Sequence, residues 1–229
     1  MNFFAAFRVF VNSLWIQASW SFEGMQSLGF ANAISPALDD DEKLKDHAEF
    51  FNTHPIMASA VLGAVARLEA EGEHQKALEL KRMVMGPFGG MGDAFYWGGV
   101  KVFLSVSAVL MVVAGYPVAA FGFVALWTLV NVLSRAFLFW FGFKGREQAL
   151  LRIASSGLAG YGARMKTASA VLLGLSLGLY SAMASGSYSL PLALAATAFG
   201  ASFLVRRVRD PVWLVYVGAL ISIGIGMVL

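Results

Sequence analysis

The chain has no cysteine. Disulfide scaffolds, thiol nucleophiles and cysteine zinc sites are therefore excluded. Charge is also scarce: Asp, Glu, Lys and Arg make up 14% of the 229 residues, against about 25% in ordinary soluble domains. Long polar and low-complexity tracts are missing, which removes disordered and fibrous classes. Acids are almost absent from one region, because residues 94–229 hold only Glu147 and Asp210.

What is present is apolar. Hydrophobic residues reach 58% of the chain and mean hydropathy is +0.68. One compact core of this size does not absorb that much apolar surface, so lipid is the expected sink. The net charge of +3 conceals a division of the chain. Residues 1–93 carry twelve acids against seven bases, and residues 94–229 carry two acids against ten bases. The expected organisation follows that division, with an amphipathic arm and re-entrant helical region over 1–93 and a polytopic helical region over 94–229.

Spans are counted from the carboxyl end. Residues 211–229 are 19 uncharged residues, about 29 Å of helix at 1.5 Å per residue. Residues 190–205 and 167–184 add shorter runs of 16 and 18. Residues 118–141 contain Arg135, read as snorkelling to the interface, and residues 94–114 contain Lys101. The fold class is thus an all-α integral membrane protein with about five transmembrane helices in its carboxyl-terminal part. Segment 144–166, with five bases and one acid, and segment 206–210 read as basic cytoplasmic loops. Alternation then places the amino-terminal region on the cytoplasmic side and Leu229 outside. Arg8 interrupts the first apolar run, so no cleavable signal peptide is expected.

The first ninety residues are patterned differently. Phe3, Phe7, Phe10 or Val11, Leu14 and Trp15 recur at helical spacing, which gives an amphipathic helix lying at an interface or packed on a partner. Asp39-Asp40-Asp41-Glu42 reads as a solvated loop. Thr53 is placed to cap a helix starting near Pro55, which leaves Asn52 and His54 without a structural role. His47 and His54 stand seven apart with no third ligand at a recognisable spacing, so no metal site is expected. His74, within a charged run, reads as a solvated surface residue.

Residues 85–93, Met-Gly-Pro-Phe-Gly-Gly-Met-Gly-Asp, place Gly86, Pro87, Gly89, Gly90 and Gly92 ahead of an apolar segment. That composition predicts a re-entrant turn, tolerated at membrane depth only where protein or a water-filled cavity satisfies the freed backbone groups. It is not a phosphate loop, since the Lys-Ser/Thr ending is absent. Asp93 reads as an N-cap of the following helix in preference to a solute ligand.

Phe50-Phe51-Asn52-Thr53-His54-Pro55, followed by Lys81 and by Met85-Gly86-Pro87-Phe88-Gly89-Gly90-Met91-Gly92-Asp93, resembles the IID membrane subunit of the mannose/fructose/sorbose family of bacterial sugar phosphotransferase systems (PTS). Gln17-Ala18-Ser19-Trp20-Ser21-Phe22-Glu23-Gly24-Met25-Gln26 is similar to the family's amino-terminal motif, and Gly142-Phe143-Lys144-Gly145 to a fourth. The resemblance covers roughly residues 8–229. Ser21 stands where the family usually has asparagine and Ala94 where serine commonly follows Gly-Asp, and the polar insert is shorter than usual.

The resemblance implies a permease subunit that works with a IIC membrane subunit, as a heterodimer within a higher oligomer. Together they translocate a hexose or related sugar across the inner membrane while soluble IIA and IIB proteins supply phosphate. IID itself is implied to be non-catalytic and without a phosphorylation site, and no cofactor, metal or nucleic-acid partner is expected. The alternatives are a structural scaffold that stabilises IIC, or a repurposed transporter subunit uncoupled from phosphorylation. Candidate substrate or interface residues are Trp20, Glu23, Gln26, Asn52, Thr53, His54, Asp93 and Trp97. Amides and carboxylates suit sugar hydroxyls, and aromatic faces suit the apolar side of the ring. For all of them, support of the interface is ranked above direct sugar contact. Membrane lipid is the further expected partner, through the basic segment 144–166.

Overall fold

The helix that organises the molecule carries no polar stripe. Its sequence, Pro-Ile-Met-Ala-Ser-Ala-Val-Leu-Gly-Ala-Val-Ala-Arg-Leu-Glu-Ala, is apolar or small at almost every position, and a helix of that kind is covered on all sides. In the computed structural model, which describes residues 1–185, this helix is α4 (Pro55–Ala70) and only Arg67 and Ala70 escape burial. Around it in chain order run α1 (Phe3–Ser13), α2 (Ser27–Ile34), a 3₁₀ turn (Ser35–Ala37), α3 (Asp41–His47), α5 (His74–Gly92), a π-helical segment (Asp93–Lys101), α6 (Val102–Val113), α7 (Ala119–Ala154) and α8 (Leu158–Ser185). Among the described residues there are no strands, only isolated bridges at Ser21 to Met25 and at Met25 to Phe51.

The most extensive pairing is α4 with α7. Its closeness comes from one glycine on each helix. A methyl group at Gly63 would overlap the Phe139 carbonyl oxygen, and one at Gly142 would overlap the Ala60 carbonyl oxygen. The two backbones therefore touch where both side chains are absent. α1 closes the other side, with Phe10 tilted on Phe139 at 5.7 Å and Phe3 stacked on Trp140 at 5.5 Å between ring centroids. Of the two placements open for this helix, packing on a partner element is observed, although Phe3, Phe4 and Phe7 keep exposed faces.

Arg135 corrects a reading made from its position in an apolar run. It is buried and does not snorkel; its Nη1 donates to the carbonyls of Ser13 at 3.0 Å and Leu14 at 3.3 Å. Those carbonyls lie at the end of α1, where a cation also meets the negative end of the helix dipole.

Among the described residues two helices are long and apolar enough to cross a membrane, the continuous run His74–Val113 and Ala119–Ala154. The first contains all of the expected span 94–114 but Ala114 and the second all of 118–141 but Val118, the two caps, while 167–184 lies within α8. The candidate spans 190–205 and 211–229 and the basic segment 206–210 lie outside the described residues. The expected basic loop 144–166 is largely helical. α7 continues to Ala154 with one non-helical residue, Arg146 at φ 51°, and only Ser155 to Gly157 separate it from α8. Glu71 at the end of α4 ties this stretch to the bundle, accepting from Arg146 Nη1 at 2.9 Å as well as from Arg67 Nε at 2.7 Å.

The expected re-entrant turn is also corrected. Residues 85–92 are α-helical, with Pro87 inside α5, and Asp93 continues the helix with φ −61° and ψ −45° instead of capping a new one. Glycine costs about 1 kcal/mol against alanine in a water-exposed helix interior. In an apolar rod the backbone has no partner but itself, so the helical bonds are retained.

Candidate functional site

Three segments far apart in sequence meet at the amino-terminal end of α4. The first is the turn before α2. Ser21 and Met25 exchange backbone hydrogen bonds at 3.1 and 2.9 Å, and Met25 takes φ 55° to close the loop. This delivers Gln26 to the second segment, where its backbone N–H donates to Phe51 O at 2.8 Å. The buried side chain of Gln26 then clamps Thr53 in a two-point fork. Nε2 donates to Thr53 O at 2.8 Å, and Thr53 N donates to Oε1 at 3.2 Å. A short strand-like stretch between two helices leaves its amides unpaired, and Gln26 satisfies them as a neighbouring strand would.

The cap of α4 falls one residue later than the sequence reading placed it. His54, not Thr53, is the N-cap, its Nδ1 accepting from Ile56 N at 3.2 Å. Pro55 occupies the first helical position and has no N–H to satisfy. Thr53 Oγ1 is buried and has no partner among the described residues, as is His54 Nε2. The His54 ring is stacked on Tyr96 at 5.4 Å and meets Trp97 edge-on at 4.8 Å. Burial first, and the Arg135 charge second, push its pKa down to about 4, so the ring is neutral and Nδ1 is free to accept.

The third segment is the glycine-rich end of α5. Gly92 lies directly against His54, where any Cβ would collide with the imidazole, and Gly89 faces Thr53. Gly86 and Gly90 point the other way, into open space, and Pro87 is exposed beside them. The glycines thus divide between an inner pair that admits the α4 cap and an outer pair that leaves a smooth face.

Of the candidate residues, Gln26, Thr53 and His54 form this buried hub, while Trp20, Glu23, Asn52, Asp93 and Trp97 are exposed around it. Trp20 meets Phe22 edge-on at 5.1 Å, and Phe22 is 87% exposed. A mostly apolar cavity of about 470 Å³ opens nearby between Tyr96 and the α7 residues Leu133, Ser134, Phe137 and Phe141. It lacks the forked amide and carboxylate groups that hold a sugar.

The sequence reading did not find two features. Tyr96, the stacking partner of His54, sits in the π-helical segment, whose extra residue per turn is not visible in an apolar run. The second is a polar cluster at the opposite end of α4. His47 Nε2 and His74 Nδ1 both lie against Glu69 Oε1, at 2.9 and 2.8 Å, and His74 Nε2 is 3.0 Å from Asp46 Oδ2. His74 is therefore mostly buried between two carboxylates, not solvated as expected. Burial raises the cost of ionising Glu69, but hydrogen bonds from the two histidines outweigh it and hold its carboxyl below the usual range. His47 and His54 share no site, since His47 bonds Glu69, fifteen residues and about 22 Å along α4 from the His54 cap.

Residues 5–184 match the PTS system mannose/fructose/sorbose family IID component. The mannose-specific EIID component of the PTS in Escherichia coli (strain K12) is 32% identical over 142 residues, covering 56% of this chain and 50% of that protein. The fructose permease IID component of Bacillus subtilis (strain 168) is 27% identical over 184 residues, covering 74% and 65%. The chain therefore spans about half the length of the mannose-specific relatives it matches. In fold it is similar to a chain in the cryo-EM structure of the mannose transporter ManYZ with microcin E492, with a TM-score of 0.60, 21% identity, and coverage of 98% of this chain and 96% of that one. A second solved structure, described as that of a membrane protein, gives a TM-score of 0.62 at 22% identity.

Proposed function

The chain belongs to the mannose/fructose/sorbose family of PTS IID components, and from that premise we propose that it is the IID subunit of a sugar permease. It works beside a IIC subunit, as a heterodimer within a higher oligomer in the inner membrane, to bind and translocate a hexose or related sugar. Phosphate reaches the sugar from IIA through IIB, and the phosphorylated product is a dianion that does not recross hydrocarbon. The chain itself carries out no phosphoryl transfer. About five transmembrane helices, with the amino-terminal region cytoplasmic and Leu229 outside, agree with the alternation of charge along the sequence.

The observation that carries the proposal is the convergence of the three motif segments on one hub, joined by the Gln26 fork and the His54 cap. A rigid buried hub with an exposed rim of aromatic, amide and carboxylate groups is the arrangement that interface support requires. Gly86 and Gly90 add a smooth helical face on which a second helix approaches closely. The test separates sugar contact from scaffolding. In cells expressing the chain with its IIC partner, Asn52→Ala and Asp93→Asn are expected to weaken co-purification of the two chains and lower uptake with it, whereas intact assembly with uptake lowered about two- to tenfold, the worth of one or two hydrogen bonds, would select direct sugar contact. Assembly and uptake unchanged in both variants would contradict both roles for the rim.

A further inference from the structure

The cluster at the carboxyl-terminal end of α4 has no part in the hub. Three helices contribute to it: Asp46 and His47 end α3, Glu69 lies in the last turn of α4, and His74 opens α5 after a turn whose Gly72 takes φ 78°. One ligand-type atom from each of His47, Glu69 and His74 converges within 4.8 Å of the others. His47 and Glu69 are fully buried, and the His74 side chain is 17% exposed.

Proton bookkeeping shows what the cluster lacks. A neutral imidazole has one N–H. His74 faces a carboxylate oxygen with each nitrogen, Glu69 Oε1 from Nδ1 and Asp46 Oδ2 from Nε2. Whichever nitrogen of a neutral ring carries the proton, the other turns its lone pair toward a carboxylate oxygen, at 2.8 Å for Glu69 or 3.0 Å for Asp46. A positive species between them, or a second proton on the ring, resolves that contact. Glu69 Oε2 is also buried with no partner among the described residues. Lys81, the nearby cation, does not fill the need. Its Nζ donates to the carbonyls of His47 at 2.7 Å and Glu49 at 3.4 Å and lies over the rings of Phe30 and Phe51.

We propose that His47 Nε2, His74 Nδ1 and the Glu69 carboxylate form a binding site for one divalent transition-metal cation of the zinc type. Two imidazoles and a carboxylate are a common zinc donor set, with the fourth position left to water. Asp46 accepting from the far nitrogen of His74 is the outer-shell contact that fixes a metal-binding tautomer. Imidazole ligands select against magnesium and calcium, which prefer oxygen. The cation fastens α3 to both ends of the α4–α5 turn, at the end of α4 opposite the hub.

Zinc binding tests this directly. The full-length chain, purified in detergent with an affinity tag free of histidine and stripped of metal, is titrated with Zn²⁺ against a chromophoric chelator, and its thermal midpoint is read in parallel. One equivalent bound, with a higher midpoint and no competition from millimolar Mg²⁺, is expected. His74→Ala is expected to weaken binding at least a hundredfold, and Asp46→Asn by about ten- to a hundredfold. Asp46 is half exposed, so its variant keeps the fold even if His74→Ala does not. Absence of saturable binding in the unaltered chain overturns the site and leaves a doubly protonated His74 as the resolution. Binding that Asp46→Asn and a folded His74→Ala both leave unchanged overturns it equally.

Discussion

His54 shows how one side chain serves two neighbours. Its Nδ1 caps α4 and its ring face packs on Tyr96, and the cap depends on a neutral imidazole. With a folded pKa of about 4 against an ordinary 6.5, the native state binds fewer protons than the unfolded one between those values. The stability this contributes is complete above pH 6.5 and is lost as the pH falls towards 4, by up to about 1.4 kcal/mol per pH unit. The thermal midpoint in detergent is expected to fall over that window, and His54→Asn, which retains a capping oxygen, is expected to flatten the slope. His47, also held below its ordinary pKa by burial against the opposing hydrogen bond to Glu69, leaves a residual slope. A midpoint unaffected by His54→Asn between pH 6.5 and 4 contradicts the neutral-cap assignment. The sequence made the start of this helix legible through Pro55 but put the cap at Thr53, the better capper by residue type. Proline at the first helical position fixes the cap one residue before it, and the Gln26 fork that occupies Thr53 spans 27 residues and leaves no local signal.

At the scale of elements, the α4–α7 crossing rests on Gly63 and Gly142. Gly63 was not distinguishable in sequence from other glycines, and Gly142 stood out only as part of a family motif, because a close approach is a property of the pair. Gly63→Val is expected to destabilise the fold by about 1–3 kcal/mol or more through overpacking against the Phe139 carbonyl, seen as a lower midpoint and reduced yield. Gly90→Val, on the open face of α5, is expected to leave the isolated chain as stable as before. Equal effects of the two would contradict the crossing. The glycine-rich stretch 85–93 was legible as special but not as helix. Glycine and proline content signals a break in water, where freed backbone groups find solvent, and loses that meaning in an apolar rod.

For the whole molecule, composition alone led to an all-helical membrane class, and two helices of the described part have the length and apolarity to span. What composition concealed was polar organisation. Segment 144–166 looked like a basic loop, yet its Arg146 pairs with Glu71 and most of its length is helix. His74 looked solvated because its partners Asp46 and Glu69 come from other helices. The family motifs were legible as a set, but their meeting at one end of α4 was not, since it depends on chain reversals that no single motif encodes.

On the proposed function, the rim of this hub faces a second membrane polypeptide. Replacing Trp97, which is 45% exposed beside His54, with a photoreactive phenylalanine analogue and irradiating membranes that contain both chains measures it most directly. An adduct with the mass of one IID plus one IIC chain is expected, absent when the same analogue replaces Val171 on α8. An adduct restricted to lipid, or a chain that isolates as a water-soluble monomer, would contradict it.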